Sequence, residues 1–119
     1  MYYILLIIMT NLFLDFLGDN PNTRLLEFLI TGREFDYSLT DLADNAGVSW
    51  TTLHRIFPKF EKQKIVVKTR EIGRAKLYKL NMENDGVKIL IKLYDKLLKL
   101  QLESAEDKIT KTAKAVAVS

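Results

Sequence analysis

The chain has 119 residues, a single histidine, no cysteine and a formal net charge of +3. That length holds one domain with one core. The absence of thiols excludes disulfides, thiolate metal sites and cysteine catalysis, and one imidazole cannot build a histidine-rich metal centre.

The charge is unevenly spread. Residues 1–54 carry Arg24 and Arg33 against seven acids, whereas residues 55–80 carry nine Lys and Arg against Glu61 and Glu71. A concentrated basic segment attracts phosphate and steers association. The plainer alternative is a solvated basic face without a partner.

The amino terminus opens with an unbroken apolar run, Tyr2 to Met9, continued by Leu12, Phe13, Leu14, Phe16 and Leu17. A membrane helix needs about 20 mostly apolar residues, and this run is interrupted by Thr10, Asn11 and Asp15 before it ends at Gly18. It lacks the early positive charge and small-residue cleavage site of a secretory signal. Three readings fit: a helix buried in a subunit interface, extra residues ahead of a start at Met9, or a segment touching a membrane. An apolar patch of this size exposed on a monomer invites aggregation. That favours a second copy as partner over a membrane, with Leu12, Phe13 and Phe16 in the interface.

Leu25, Leu26, Phe28 and Leu29 have helical spacing and predict a helix over Thr23 to Thr31. Phe35-Asp36-Tyr37 alternates like a short edge strand. Ser38 or Thr40 is a candidate cap for the next helix, which turns Leu39, Leu42, Ala43 and Ala46 inward. The stretch from Leu39 to Pro58 then has the spacing of a helix-turn-helix. Ala43 is small enough for a steep helix crossing, Gly47 tolerates the turn, and Val48 plugs the angle. Ser49 caps a second helix whose buried stripe is Leu53, Ile56, Phe57 and Phe60. Thr51, His54 and Arg55 project from the other side, with Thr52 and Lys59 on the flank. Trp50 reads either as a rim residue on the core or as an apolar contact at a nucleic-acid surface. Pro58 removes a helical donor and predicts a kink or a new turn there.

Ile65–Val67 and Leu77–Leu80 are β-prone and flank a turn at Ile72–Ala75, so a basic hairpin follows the second helix. Lys68, Arg70, Arg74 and Lys76 sit near its tip. Asn84 or Asp85 caps a final helix running to about Glu103. Its apolar residues, among them Leu90, Leu93, Tyr94, Leu97 and Leu98, occupy most of its circumference. Burial on several sides calls for a second subunit, the alternative being packing against the amino-terminal helix of the same chain.

These elements predict a mainly α fold with one small β-hairpin (α+β). It is a winged helix-turn-helix with added amino- and carboxy-terminal helices forming a dimer interface. Residues 1–21 form the apolar helix, 22–81 the winged domain, 82–104 the dimerisation helix and 105–119 a flexible or frayed tail. From Asn22 to about Leu102 the chain resembles the winged helix-turn-helix transcriptional regulators of archaea and bacteria, broadly MarR- or ArsR-like. The resemblance is carried by LADNAGVSWTTLHRIF, by GRAKLYKLN and by the leucine-rich helix.

The resemblance implies a cytoplasmic homodimer binding a palindromic double-stranded DNA operator. Residues 49–57 would enter the major groove, and the wing, 65–80, would lie on the backbone or minor groove. The DNA-binding set is then Ser49, Trp50, Thr51, Thr52, His54, Arg55, Lys59, Lys68, Arg70, Arg74 and Lys76. ArsR-like metal sensing is not carried over, since the cysteines are absent. No cofactor, metal or catalytic residue is expected, and any small-molecule effector is unspecified. The same fold also serves protein assembly, the alternative reading.

Overall fold

The computed structural model describes residues 12–118, with side chains as far as Thr110 except Lys108. The apolar run Tyr2 to Met9 lies outside the described residues. Residues 12–17 are helical (α1) and bury Phe13.

Helix α2 spans Pro21–Thr31, two residues earlier than the leucine spacing alone predicts. Asn20 sets that start. Its Oδ1 accepts from the Thr23 amide at 3.1 Å, Thr23 Oγ1 accepts from the Asn20 amide at 3.1 Å, and Pro21 fits the first turn, where no amide is needed. Gly32 follows the helix because the Tyr37 hydroxyl packs where a Cβ would stand, donating to the Gly32 carbonyl at 3.0 Å.

Helix α3, Leu39–Ala46, starts from a capping box between Ser38 and Asp41, so Ser38 is the cap. It ends at Gly47, whose φ of 69° and ψ of 34° are left-handed. The Gly47 and Val48 amides both donate to the Ala43 carbonyl, closing the turn. Ser49 Oγ then accepts from the Thr52 amide and starts α4, Trp50–Lys62. Leu53, Ile56, Phe57 and Phe60 are all buried, as their spacing predicts.

Pro58 neither breaks α4 nor starts a new turn: the helix runs through it to Lys62. Phe57 and Phe60, buried on either side, continue one stripe across the proline and keep both halves on the core.

Helix α4 gives way to the wing through Lys64, a non-glycine residue at φ 56°. Asn84 Nδ2 donates to the Gln63 and Lys64 carbonyls, while its Oδ1 accepts from the Gly86 and Val87 amides. One side chain therefore ties the end of α4 to the start of α5. The wing pairs β1, Val66–Ile72, antiparallel with β2, Ala75–Leu80, around a Gly73-Arg74 turn. Both strands are longer than the β-prone cores that predict them. A bulge at Thr69 shifts the register between Lys68 and Arg70. The expected strand at Phe35–Tyr37 reduces to one bridge, Tyr37 to Tyr78, with 2.8 Å bonds in both directions.

Helix α5 runs from Asp85 to Val118, well past the end expected near Glu103. After Gly86 the sequence contains no glycine or proline, and its Ala, Lys and Glu are good helix formers. Val87, Tyr94 and Leu97 bury one stripe of it. The Tyr94 ring meets Phe13 edge-on at 5.5 Å, and its hydroxyl lies 2.8 Å from Thr31 Oγ1. Arg33 adds a two-pronged ion pair to Asp95. Phe13, Tyr94 and Leu97, assigned from the sequence to a subunit interface, thus sit in the protomer's own core. Leu12, Leu90 and Leu98 are half-buried, whereas Phe16 and Leu93 are exposed. Among the described residues, no helix is long and apolar enough to cross a membrane.

The turn at Gly47 yields a direct test. The nearest atom to a Cβ there is Arg24 Nη1 at 3.8 Å, so a methyl group has room and only the left-handed backbone resists it. Gly47→Ala is expected to lose about 1–2 kcal/mol in urea unfolding, and Leu53→Ala, at the centre of the α4 stripe, about 2–5 kcal/mol.

Candidate nucleic-acid interface

Because Leu53, Ile56, Phe57 and Phe60 face the core, the opposite side of α4 is left to solvent. Thr51, His54, Arg55 and Lys59 all lie exposed there. Ser49 and Thr52 have a local job. The Ser49 hydroxyl donates to Thr52 Oγ1 at 2.8 Å while accepting the Thr52 amide, so this pair closes the first turn. Trp50 is half exposed and tilts over His54, with ring centroids 4.0 Å apart. Its ring presents an aromatic face to solvent.

The wing returns alongside the amino-terminal ends of α3 and α4. Tyr78 sets its position, with its ring edge-on to Phe57 at 4.8 Å and its backbone bridged to Tyr37. A groove of about 220 Å³ results, lined by Ser38, Leu39, Thr40, Trp50, Arg74, Ala75, Lys76 and Tyr78. Hydroxyls, one indole and two cations therefore converge where α4 and the wing meet. The sequence marks Ser38 and Thr40 only as candidate caps. Their place in this groove depends on the wing folding back, which no local spacing encodes.

The expected cations fall into two groups. Among the described residues, Arg55, Lys59, Arg74 and Lys76 have no carboxylate within ion-pair distance. Lys68 is paired with Glu71 at 2.9 Å. Arg70 is held by Asp36, with Nε–Oδ2 at 2.9 Å and Nη2–Oδ1 at 3.1 Å. The Thr69 hydroxyl, at the bulge, donates to the same carboxylate. Bonds from Arg70 and then Thr69 hold the Asp36 carboxyl below the usual carboxylate range, and Asp36 in turn raises Arg70. Asp36 thus clamps the middle of β1 to the segment preceding α3. Its partners stand 33 and 34 residues downstream, so no local spacing marks its role.

No protein-family model matches the chain, and no curated protein matches its sequence. Solved structures do match in three dimensions. The chain is similar to MepR, a transcription regulator of the Staphylococcus aureus multidrug efflux pump MepA, with a TM-score of 0.58 and 14% identity over 94% of this chain and 90% of that one. It is also similar to NadR in complex with 4-hydroxyphenylacetate, with a TM-score of 0.60 and 16% identity over 98% and 80%. A structure of MepR bound to DNA aligns with a TM-score of 0.56 and 16% identity over 85% and 81%. At such identities the likeness establishes the fold, a winged helix-turn-helix.

Asp36→Asn keeps the side-chain shape and removes the charge. A carboxyl whose folded value is depressed contributes stability that is complete above its unfolded value, about 4, and lost as pH falls through the folded value. The wild-type margin over Asp36→Asn in urea unfolding is therefore expected to hold steady from about pH 7 to pH 5 and to close below about pH 4. A margin that widens on acidification would contradict the clamp.

Proposed function

We propose that the protein is a homodimeric transcription regulator that binds double-stranded DNA sequence-specifically. One observation carries this reading: Arg55, Lys59, Arg74 and Lys76, all without acidic partners among the described residues, share the surface formed by the exposed side of α4 and the wing. The major groove, about 12 Å wide, admits one α-helix. Entered by α4, it receives Thr51, His54 and Arg55 at base edges, the side-chain types that bond there. Lys59 lies further along α4 and meets phosphate. The wing turn places Arg74 and Lys76 on the backbone or in the minor groove. The structural likeness to a DNA-bound regulator supports the same docking.

Dimerisation is supported by what the protomer leaves uncovered. Phe16, Leu17, Ile89, Leu93, Leu100, Leu102 and Ile109 are exposed on α1 and α5. Helix α5 alone, 34 residues, is roughly 50 Å long, more than one small domain can cover. A second copy packed along these helices buries the apolar surface and presents two recognition helices to one duplex.

Duplex binding measured at several salt concentrations tests the reading. Apparent affinity is expected to fall linearly on a log–log plot as salt rises, with a slope of about −0.9 per phosphate contact. Arg55→Ala is expected to weaken the preferred sequence by about 1–3 kcal/mol and relax preference at one position. Arg74→Ala is expected to weaken all duplexes alike and reduce the salt slope by about 1. Affinity indifferent to salt and to both substitutions would leave the protein-assembly reading in its place.

A further inference from the structure

Trp50 opens α4 and leaves 49% of its surface to solvent, although tryptophan is among the more buried side chains on average. What holds the ring there is His54. One turn further along the same face of the helix, its imidazole packs against the indole, with centroids 4.0 Å apart and ring planes at 48°. The contact limits the rotation of the indole and keeps it on the solvent side of α4, next to Thr51 and Arg55.

The indole lines two hollows. One is the groove toward the wing, with Arg74 and Lys76. The other, open and of about 430 Å³, has Ala43, Val48 and Asp44 in its walls and no cation. The two sides therefore differ in charge. Arg74 and Lys76 draw phosphate to the wing side, whereas the Asp44 carboxylate repels it on the α3 side. A duplex that meets the wing with its backbone thus brings the edge of a base, rather than another phosphate, to the indole.

We propose that Trp50 reads thymine through its C5-methyl group, with His54 as the residue that positions the indole. The proposal rests on the DNA-binding reading and adds which group of the duplex the start of α4 singles out. In the major groove thymine alone carries a methyl, while the other bases offer donors and acceptors. An indole face set on that methyl removes apolar surface from water on both sides. The same face set on the amino group of cytosine, or on N7 and O6 of guanine, strips water from a polar group and returns no hydrogen bond. The discrimination therefore comes from both ends. The hydroxyls of Ser49 and Thr52 are bonded to each other, and Arg55 offers only donors. Thr51, with a methyl of its own, is the rival reader.

The test is a uracil scan of the preferred duplex that the full-length protein selects from a random pool. Uracil pairs as thymine does and lacks only the methyl. Replacing one particular thymine in a half-site is expected to weaken binding about fourfold, the effect of one buried methyl-sized group. Trp50→Ala is expected to bind the thymine and uracil duplexes equally, and Trp50→Phe to keep part of the preference. His54→Ala is expected to shrink it and His54→Phe, which keeps a ring against the indole, to restore it. Thr51→Ser, which removes only that neighbour's methyl, is expected to leave it unchanged. Trp50 is the chain's only tryptophan, so its emission reports the contact in the unmodified protein. A larger change with the thymine duplex than with the uracil duplex is expected, and this decides the question if a variant does not fold. A preferred site without thymine, a scan in which no thymine matters, equal emission changes with both duplexes, or a preference that survives Trp50→Ala or vanishes with Thr51→Ser would each overturn the proposal. Any of these alongside salt-dependent duplex binding leaves the DNA-binding reading standing, whereas absence of duplex binding removes both.

Discussion

The rest of the structure depends on the close approach of α3 and α4 around the left-handed turn at Gly47. Ala43 offers no side chain beyond Cβ, so the helices meet there, and its carbonyl accepts both the Gly47 and the Val48 amides. That fixes where Ser49 starts α4, and hence which side of α4 is buried. Once Leu53, Ile56, Phe57 and Phe60 turn inward, Thr51, His54, Arg55 and Lys59 have only solvent to face. The same crossing exposes Phe57 to the ring of Tyr78, so the wing docks against a surface that the turn created.

Electrostatics divides the basic segment by function. Arg70 and Lys68 serve the wing's own shape, one through Asp36 and the bulge at Thr69, the other through Glu71. Exposed ion pairs of this kind add little stability singly. Their larger effect is on position: Asp36 joins the middle of the wing to the segment that leads into α3, beside the Tyr37–Tyr78 bridge. Arg74 and Lys76, beyond the clamp, remain available. Arg24 does a comparable job on the far side of the turn, tying Asp19 to Gly47.

The helix-turn-helix was legible because its determinants are local. The Ala43–Gly47–Val48 spacing, the Ser38 and Ser49 caps and the α4 stripe all lie within 23 consecutive residues. The hairpin was legible for the same reason, its turn lying between two β-prone runs. What escaped was nonlocal. Asp36 reaches Arg70 across α3 and α4. Which apolar residues of α1 and α5 face their own chain could not be read either. A helix apolar around most of its circumference does not say which stripe its own core takes, so Phe13, Tyr94 and Leu97 were assigned to a partner. The new turn that Pro58 predicts does not form, because the buried aromatics on either side of it hold α4 continuous on the core.

The central claim is that two copies of this surface, each an α4 with its wing, read one duplex. Selection of bound sequences from a random duplex pool by the full-length protein tests it most directly. The expected result is enrichment of a two-fold symmetric site whose half-site centres lie about one helical turn, 10–10.5 base pairs, or a multiple of it apart. Recovery of unenriched pool, or of a single asymmetric half-site bound by one chain, would contradict it.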